Sequence, residues 1–165
     1  MSDDNIIKFQ PRPARQESNG NGLLSRPPHP AMLNIPPMTK ALAGCLLVTF
    51  LLIWVMTHTI FPNAEGLAIH FGAFIPTRWT SGEGFFWWTP LSLITFSFLH
   101  GGWLHLATNL LMLIAIGSGL EKSLGAKKYA VIYLVCTLFG VVSHLAFTPF
   151  STIPIVGASG GISGL

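Results

Sequence analysis

The sequence predicts an all-α membrane protein, and its charge pattern carries that expectation. Only 9% of the 165 residues are charged and 50% are hydrophobic, whereas a water-soluble domain has about 25% charged residues. The charges are also segregated, so that 41–64, 84–120 and 129–165 contain no Asp, Glu, Lys or Arg. Each stretch exceeds the ~20 apolar residues that carry a helix across a bilayer. The formal charge of +3 does not imply nucleic acid as a partner, because the bases form no cluster of the kind that binds phosphates.

Residues 1–40 hold seven of the twelve prolines among Asn, Ser, Gly and scattered charges. Such a composition buries too little apolar surface to order itself, so a flexible cytoplasmic tail is expected, followed by a membrane domain over 41–165. The tail is too long and proline-rich for the start of a signal peptide, so the first span is retained. That span runs from Ala41 to Phe61 and stops at Pro62. At 1.5 Å per residue it reaches about 30 Å. The connection that follows, to about Leu93, carries Phe71, Phe74, Trp79, Phe85, Phe86, Trp87 and Trp88, rings that favour the headgroup level.

A second span is expected over Ile94–Leu120 and a third over Ala126–Phe147, and a turn from Pro149 to Pro154 leads to a fourth segment starting near Gly157. Cys45 and Cys136 fall inside spans, where a small apolar side chain accounts for them. Five of the nine bases precede the first span and Lys122, Lys127 and Lys128 lie between the second and third; only Arg78 lies elsewhere. The positive-inside rule then puts the tail and the 121–125 turn in the cytoplasm, and the fourth segment starts at the outer face.

Hydrocarbon penalises polar groups, so His100, His105, Asn109, Ser118, His144 and Ser159 need reasons for their positions. His105 and Asn109 stand at i and i+4, on one helix face. One reading is hydrogen bonding between helices, worth about 0.6–2 kcal/mol. Ser118 and His144 have no patterned partner and fit packing roles. Gly157-Ala158-Ser159-Gly160-Gly161 opens the fourth segment. It matches the G-x-S-x-G pattern of soluble hydrolases without their strand-to-helix context. It also contains two overlapping G-x-x-x-G pairs, Gly157 with Gly161 and Gly160 with Gly164, which favour close helix contact.

Together these features suggest more. Topology brings the start of the fourth segment to the level of His105 and Asn109, where a serine hydroxyl would meet unpaired N–H groups and the positive end of a helix dipole. Attack on a carbonyl by Ser159 would then find oxyanion donors in its own N–H, His105 and Asn109, each typically worth about 3–4 kcal/mol. No metal or cofactor is called for.

The run from Phe98 to Asn109, Phe-Leu-His-Gly-Gly-Trp-Leu-His-Leu-Ala-Thr-Asn, resembles the H-x-x-x-x-H-x-x-x-N signature of rhomboid proteases. Gly117, Glu121, Gly125 and Tyr133 resemble the family's G-x-x-x-E-x-x-x-G with its downstream tyrosine, and Gly157 to Gly160 its G-x-S-G motif. The resemblance covers about residues 41–165. It implies a rhomboid-like helical bundle, here three spans and the start of a fourth. It also implies Ser159 as nucleophile, His105 and Asn109 as oxyanion donors, His100 as a supporting histidine and Glu121 as a carboxylate that ties helix and loop groups together. Trp87-Trp88-Thr89-Pro90 stands where the family usually has a Trp-Arg pair, so the loop contact of that arginine is not expected.

The family's base is a histidine on a sixth helix, so residues 1–165 alone are expected to be inactive and the full gene product to add at least two spans. The implied function is hydrolysis of peptide bonds in or near transmembrane segments of other membrane proteins by a Ser-His dyad. The expected setting is a bacterial inner (plasma) membrane, with the N-terminus cytoplasmic. The alternatives are an inactive relative that binds or retains membrane proteins, and a transporter or channel that uses the broken segment at Pro149–Gly161 as an ion site.

Overall fold

The computed structural model describes residues 34–165. Most of the expected tail, residues 1–33, lies outside them. Helix α1 spans Pro37–Thr59, α2 Ala64–Gly72 and α3 Thr77–Thr80. A run of tight helical turns, α4, covers Thr89–Phe98. Two further long helices follow, α5 over Trp103–Leu124 and α6 over Ala126–Phe147, and a short helix α7 occupies Ser159–Ser163. Helices α1, α5 and α6 are long and apolar enough to cross a membrane. Among the described residues the strand pairing is one isolated bridge, Phe74 to Ile155. The all-α class holds, and so does the third span to the residue.

The first span begins at Pro37 rather than Ala41. Proline is preorganised for the first helical position and loses no hydrogen bond there. The N–H groups of Met38 and Thr39 would still be orphaned, and α1 has no cap of its own. Glu121, buried on α5, supplies it. Its Oε1 accepts from Met38 N at 2.9 Å, and its Oε2 accepts from Thr39 N at 2.7 Å and Thr39 Oγ1 at 2.8 Å. A carboxylate at a helix N-terminus also complements the dipole.

The second span begins at Trp103, not Ile94. No charge marks a boundary between 84 and 120, but Leu99 turns extended after α4 and Gly102 adopts φ 156°. Backbone geometry, not polarity, ends α4 there. Inside α5 a π-helical turn covers Leu113–Gly117, one extra residue of the kind that often lies near functional sites. Gly117 lets that turn approach α6, since a methyl group on it would stand 2.5 Å from the Tyr129 hydroxyl. Gly125, at φ 82°, closes α5 by donating to Glu121 O at 2.8 Å.

The aromatic connection is partly helical and is pinned to the segment before α7. Phe74 N donates to Ile155 O at 3.2 Å and Ile155 N to Phe74 O at 2.8 Å, while Gly157 N donates to Phe96 O at 2.9 Å. Thr80 Oγ1 adds a bond to Pro149 O at 2.7 Å. The connection and the Pro149 turn therefore share one end of the bundle, opposite Glu121. The core joins Leu46 and Phe50 of α1, Leu106 and Leu113 of α5, Tyr133 of α6 and Ile162 of α7. Outward faces stay apolar, with Leu52 60%, Leu111 67% and Phe139 70% exposed. Faces of that kind suit lipid or further helices rather than water.

Candidate active site

Helix α7 is seated by small residues meeting α6. A methyl group on Gly161 would strike Thr137 Oγ1 and stand 2.7 Å from the Tyr133 ring, and one on Gly164 would strike Cys136 Sγ. Gly160 faces Gly140, where such a methyl would lie 3.8 Å from the Gly140 Cα. The glycine pairs thus have the packing use that their spacing suggests, and Tyr133, 6% exposed, is part of that seat.

Seating α7 in this way places Ser159 in an open cleft of about 490 Å³ between α5 and α7. His105 and Asn109 line the same cleft, with Thr108, Met112, Ile116, Ile162 and Ser163. The i, i+4 pair and the serine, 50 residues or more apart in sequence, therefore share one cleft. Asn109 is 5% exposed, and its amide Nδ2 donates to His105 O at 2.8 Å. That bond orients the side chain and leaves a second N–H on the same nitrogen. Thr108 Oγ1 turns back to its own helix, 3.0 Å from both Leu104 O and His105 O.

Gly157 holds the other side of the His105 ring. It adopts φ 116°, and a methyl group there would lie 2.7 Å from both Cε1 and Nε2 of His105. Only glycine satisfies both the left-handed backbone and the space. His100 does not line the cleft. It packs against His105, with ring centroids 5.0 Å apart at 62°. Both its ring nitrogens are buried without a hydrogen-bond partner. Burial foremost, and then the neighbouring His105, hold its pKa below the ordinary 6.5, the Phe98 carbonyl opposing them. His100 is therefore neutral at pH 7.

Among the described residues the Ser159 backbone carbonyl accepts from Ser163 Oγ at 2.7 Å, and the groups of His, Cys, Asp and Glu include none arranged to hold a metal ion. Glu121 and Gly117 stand at the far end of the bundle, where they shape α1 and α6 rather than the cleft. Sequence reasoning passed over Thr39, which shares Glu121, and Tyr129, which meets Gly117. Thr39 follows a Pro-Pro helix start, a signal that could have marked it. Tyr129 differs from Tyr133 by one helical turn, and nothing local separates them.

Residues 86–165 match the family model described as the rhomboid domain. The chain is similar to Rhomboid protease GluP of Bacillus subtilis (strain 168), 36% identical over 102 residues, or 62% of this chain and 18% of the relative. It is similar to RHOMBOID-like protein 2 of Arabidopsis thaliana, 41% identical over 73 residues, covering 44% of this chain and 22% of the relative. RHOMBOID-like protein 5 of the same plant is 39% identical over 74 residues, covering 44% and 24%. The matched region thus spans about a fifth of the length of these curated relatives. With the three spans, the His105–Asn109 face and the serine motif in one bundle, the chain belongs to the rhomboid family.

Proposed function

We propose that this chain forms part of an intramembrane serine protease that cleaves other membrane proteins in or near their transmembrane segments. The observation that carries this reading is the convergence of Ser159, His105 and Asn109 on one open cleft. Ser159 Oγ attacks the substrate carbonyl, and its proton passes to a histidine outside residues 1–165. His105, Asn109 and the Ser159 N–H face the oxygen on which negative charge develops. The base then protonates the leaving amine, and water releases the acyl group from Ser159. His100 supports His105 from behind. The basic residues before and at the start of α1, with Lys122, Lys127 and Lys128 around the turn from α5 to α6, favour a cytoplasmic N-terminus, in a bacterial inner membrane.

A second reading is an inactive relative that binds or retains membrane proteins. Reconstituted full-length protein separates the two. With a model single-span substrate, Ser159→Ala abolishes cleavage, and Asn109→Ala slows it about 100- to 1,000-fold while leaving the nucleophile in place. Undiminished cleavage by Ser159→Ala protein of unchanged thermal stability would exclude the protease reading.

A further inference from the structure

A second cavity, of about 220 Å³, lies between the C-terminal end of α1, the start of α2 and the break before α5. It shares no lining residue with the serine cleft, and the contact of His100 with His105 joins the two. Its walls are aromatic. Phe50 meets Trp103 edge to face at 4.8 Å, Trp54 meets Trp103 at 5.7 Å, and Trp54 stacks on His58 at 4.5 Å. Thr57, His58, Glu65 and His100 supply the polar side of the lining. Glu65 is exposed at the rim, and its N–H, 3.1 Å from Thr57 Oγ1, ties α2 to α1. His100, 9% exposed, presents a ring whose nitrogens make no hydrogen bond of good geometry, with the Phe98 carbonyl the nearby backbone acceptor.

No lysine or arginine lines the cavity, so its one formal charge is the Glu65 carboxylate. Aromatic faces attract cations through their quadrupole. A neutral imidazole has a nitrogen lone pair that accepts a hydrogen bond. All three features suit a cation that carries N–H groups, while an anion would face an uncompensated carboxylate. Location narrows the source. The cavity opens near the C-terminal end of a helix about 34 Å long, beside outward-facing Ile60 and Phe61. That is headgroup depth, where lipid heads are the most abundant ammonium groups.

We infer that this cavity binds the primary ammonium of a phosphatidylethanolamine headgroup, with Trp54 and Trp103 against the cation, Glu65 as counter-charge and His100 as hydrogen-bond acceptor. The inference does not depend on the protease reading, because binding is measured without turnover. An occupant held by His100 also fixes the ring on which His105 rests.

The test uses the full-length protein in phosphatidylglycerol nanodiscs, titrated with dihexanoyl phosphatidylethanolamine while tryptophan fluorescence is followed. A saturable change is expected, weakened about five-fold or more in Glu65→Gln and unaltered in the exposed control Glu83→Gln. Dihexanoyl phosphatidylglycerol gives no saturable change, and the phosphatidylcholine analogue, which lacks N–H groups, binds more weakly. Equal binding of the phosphatidylglycerol analogue, or unweakened binding to Glu65→Gln, would overturn the site. Phosphatidylcholine binding as tight as phosphatidylethanolamine would overturn the role of His100. Tighter binding of N-acetyl-lysine amide than of the lipid would assign the cavity to a peptide side chain and overturn the lipid.

Discussion

At Gly157 the His105 ring occupies the place where a side chain would stand, so the glycine of the serine motif positions a residue on a different helix. His100 presses on the same ring from another side, and its neutrality has a measurable consequence. Its folded pKa lies below the ordinary 6.5, so as pH falls below that value the unfolded chain binds a proton that the folded protein resists. Stability is full above about pH 6.5 and is lost as pH drops toward the folded pKa. Thermal unfolding in detergent between pH 7.5 and 5 should show this fall. The fall should be shallower in His100→Gln. An identical pH profile in the variant would remove His100 as the source.

Helices α1 and α5 are joined at one end by a single carboxylate. Glu121→Gln keeps the size of the side chain but removes the charge from three hydrogen bonds, two of them to buried or part-buried backbone N–H groups. A loss of about 2–3 kcal/mol in unfolding free energy is expected, read by denaturant unfolding in detergent, against almost none for the exposed Glu83→Gln. Equal effects would mean that the cap contributes nothing. This contact was only half legible in the sequence. Glu121 stands out as an acid at the end of an apolar span, yet its partner Thr39 is 82 residues away, and no local pattern links them. The boundaries were legible where composition changes with structure, as at Ala126–Phe147. They were not legible at Leu99–Gly102, where the chain bends with no charged residue to mark the break. The i, i+4 pair was readable because helical periodicity alone puts His105 and Asn109 on one face.

For the whole molecule, the Phe74–Ile155 bridge and the Gly157 to Phe96 hydrogen bond place the aromatic connection and the serine at one end of the bundle. The relative order of the ends is therefore built into the fold, and the charge distribution selects which end faces the cytoplasm. Single cysteines introduced at Ser123 and Glu83, both exposed, test that choice in intact cells, with Cys45 and Cys136 replaced by alanine. An impermeant thiol reagent should label the cysteine at 83 and spare the one at 123. The opposite pattern would invert the orientation. Most of the cleft was foreseeable from two motifs because the spans themselves dictate the level at which each motif sits. What no motif encodes is the glycine-to-ring fit that brings them together.

The proposed chemistry requires that Ser159 be a nucleophile and not one more small residue in a glycine-rich helix contact. Reaction of the full-length protein with a fluorophosphonate, followed by mass spectrometry of its peptides, tests this most directly. One adduct is expected, on Ser159, and it disappears in Ser159→Ala while expression and thermal stability are retained. A Ser159 that stays unmodified while the protein cleaves its substrate, or an adduct that persists on another residue in Ser159→Ala, would contradict it.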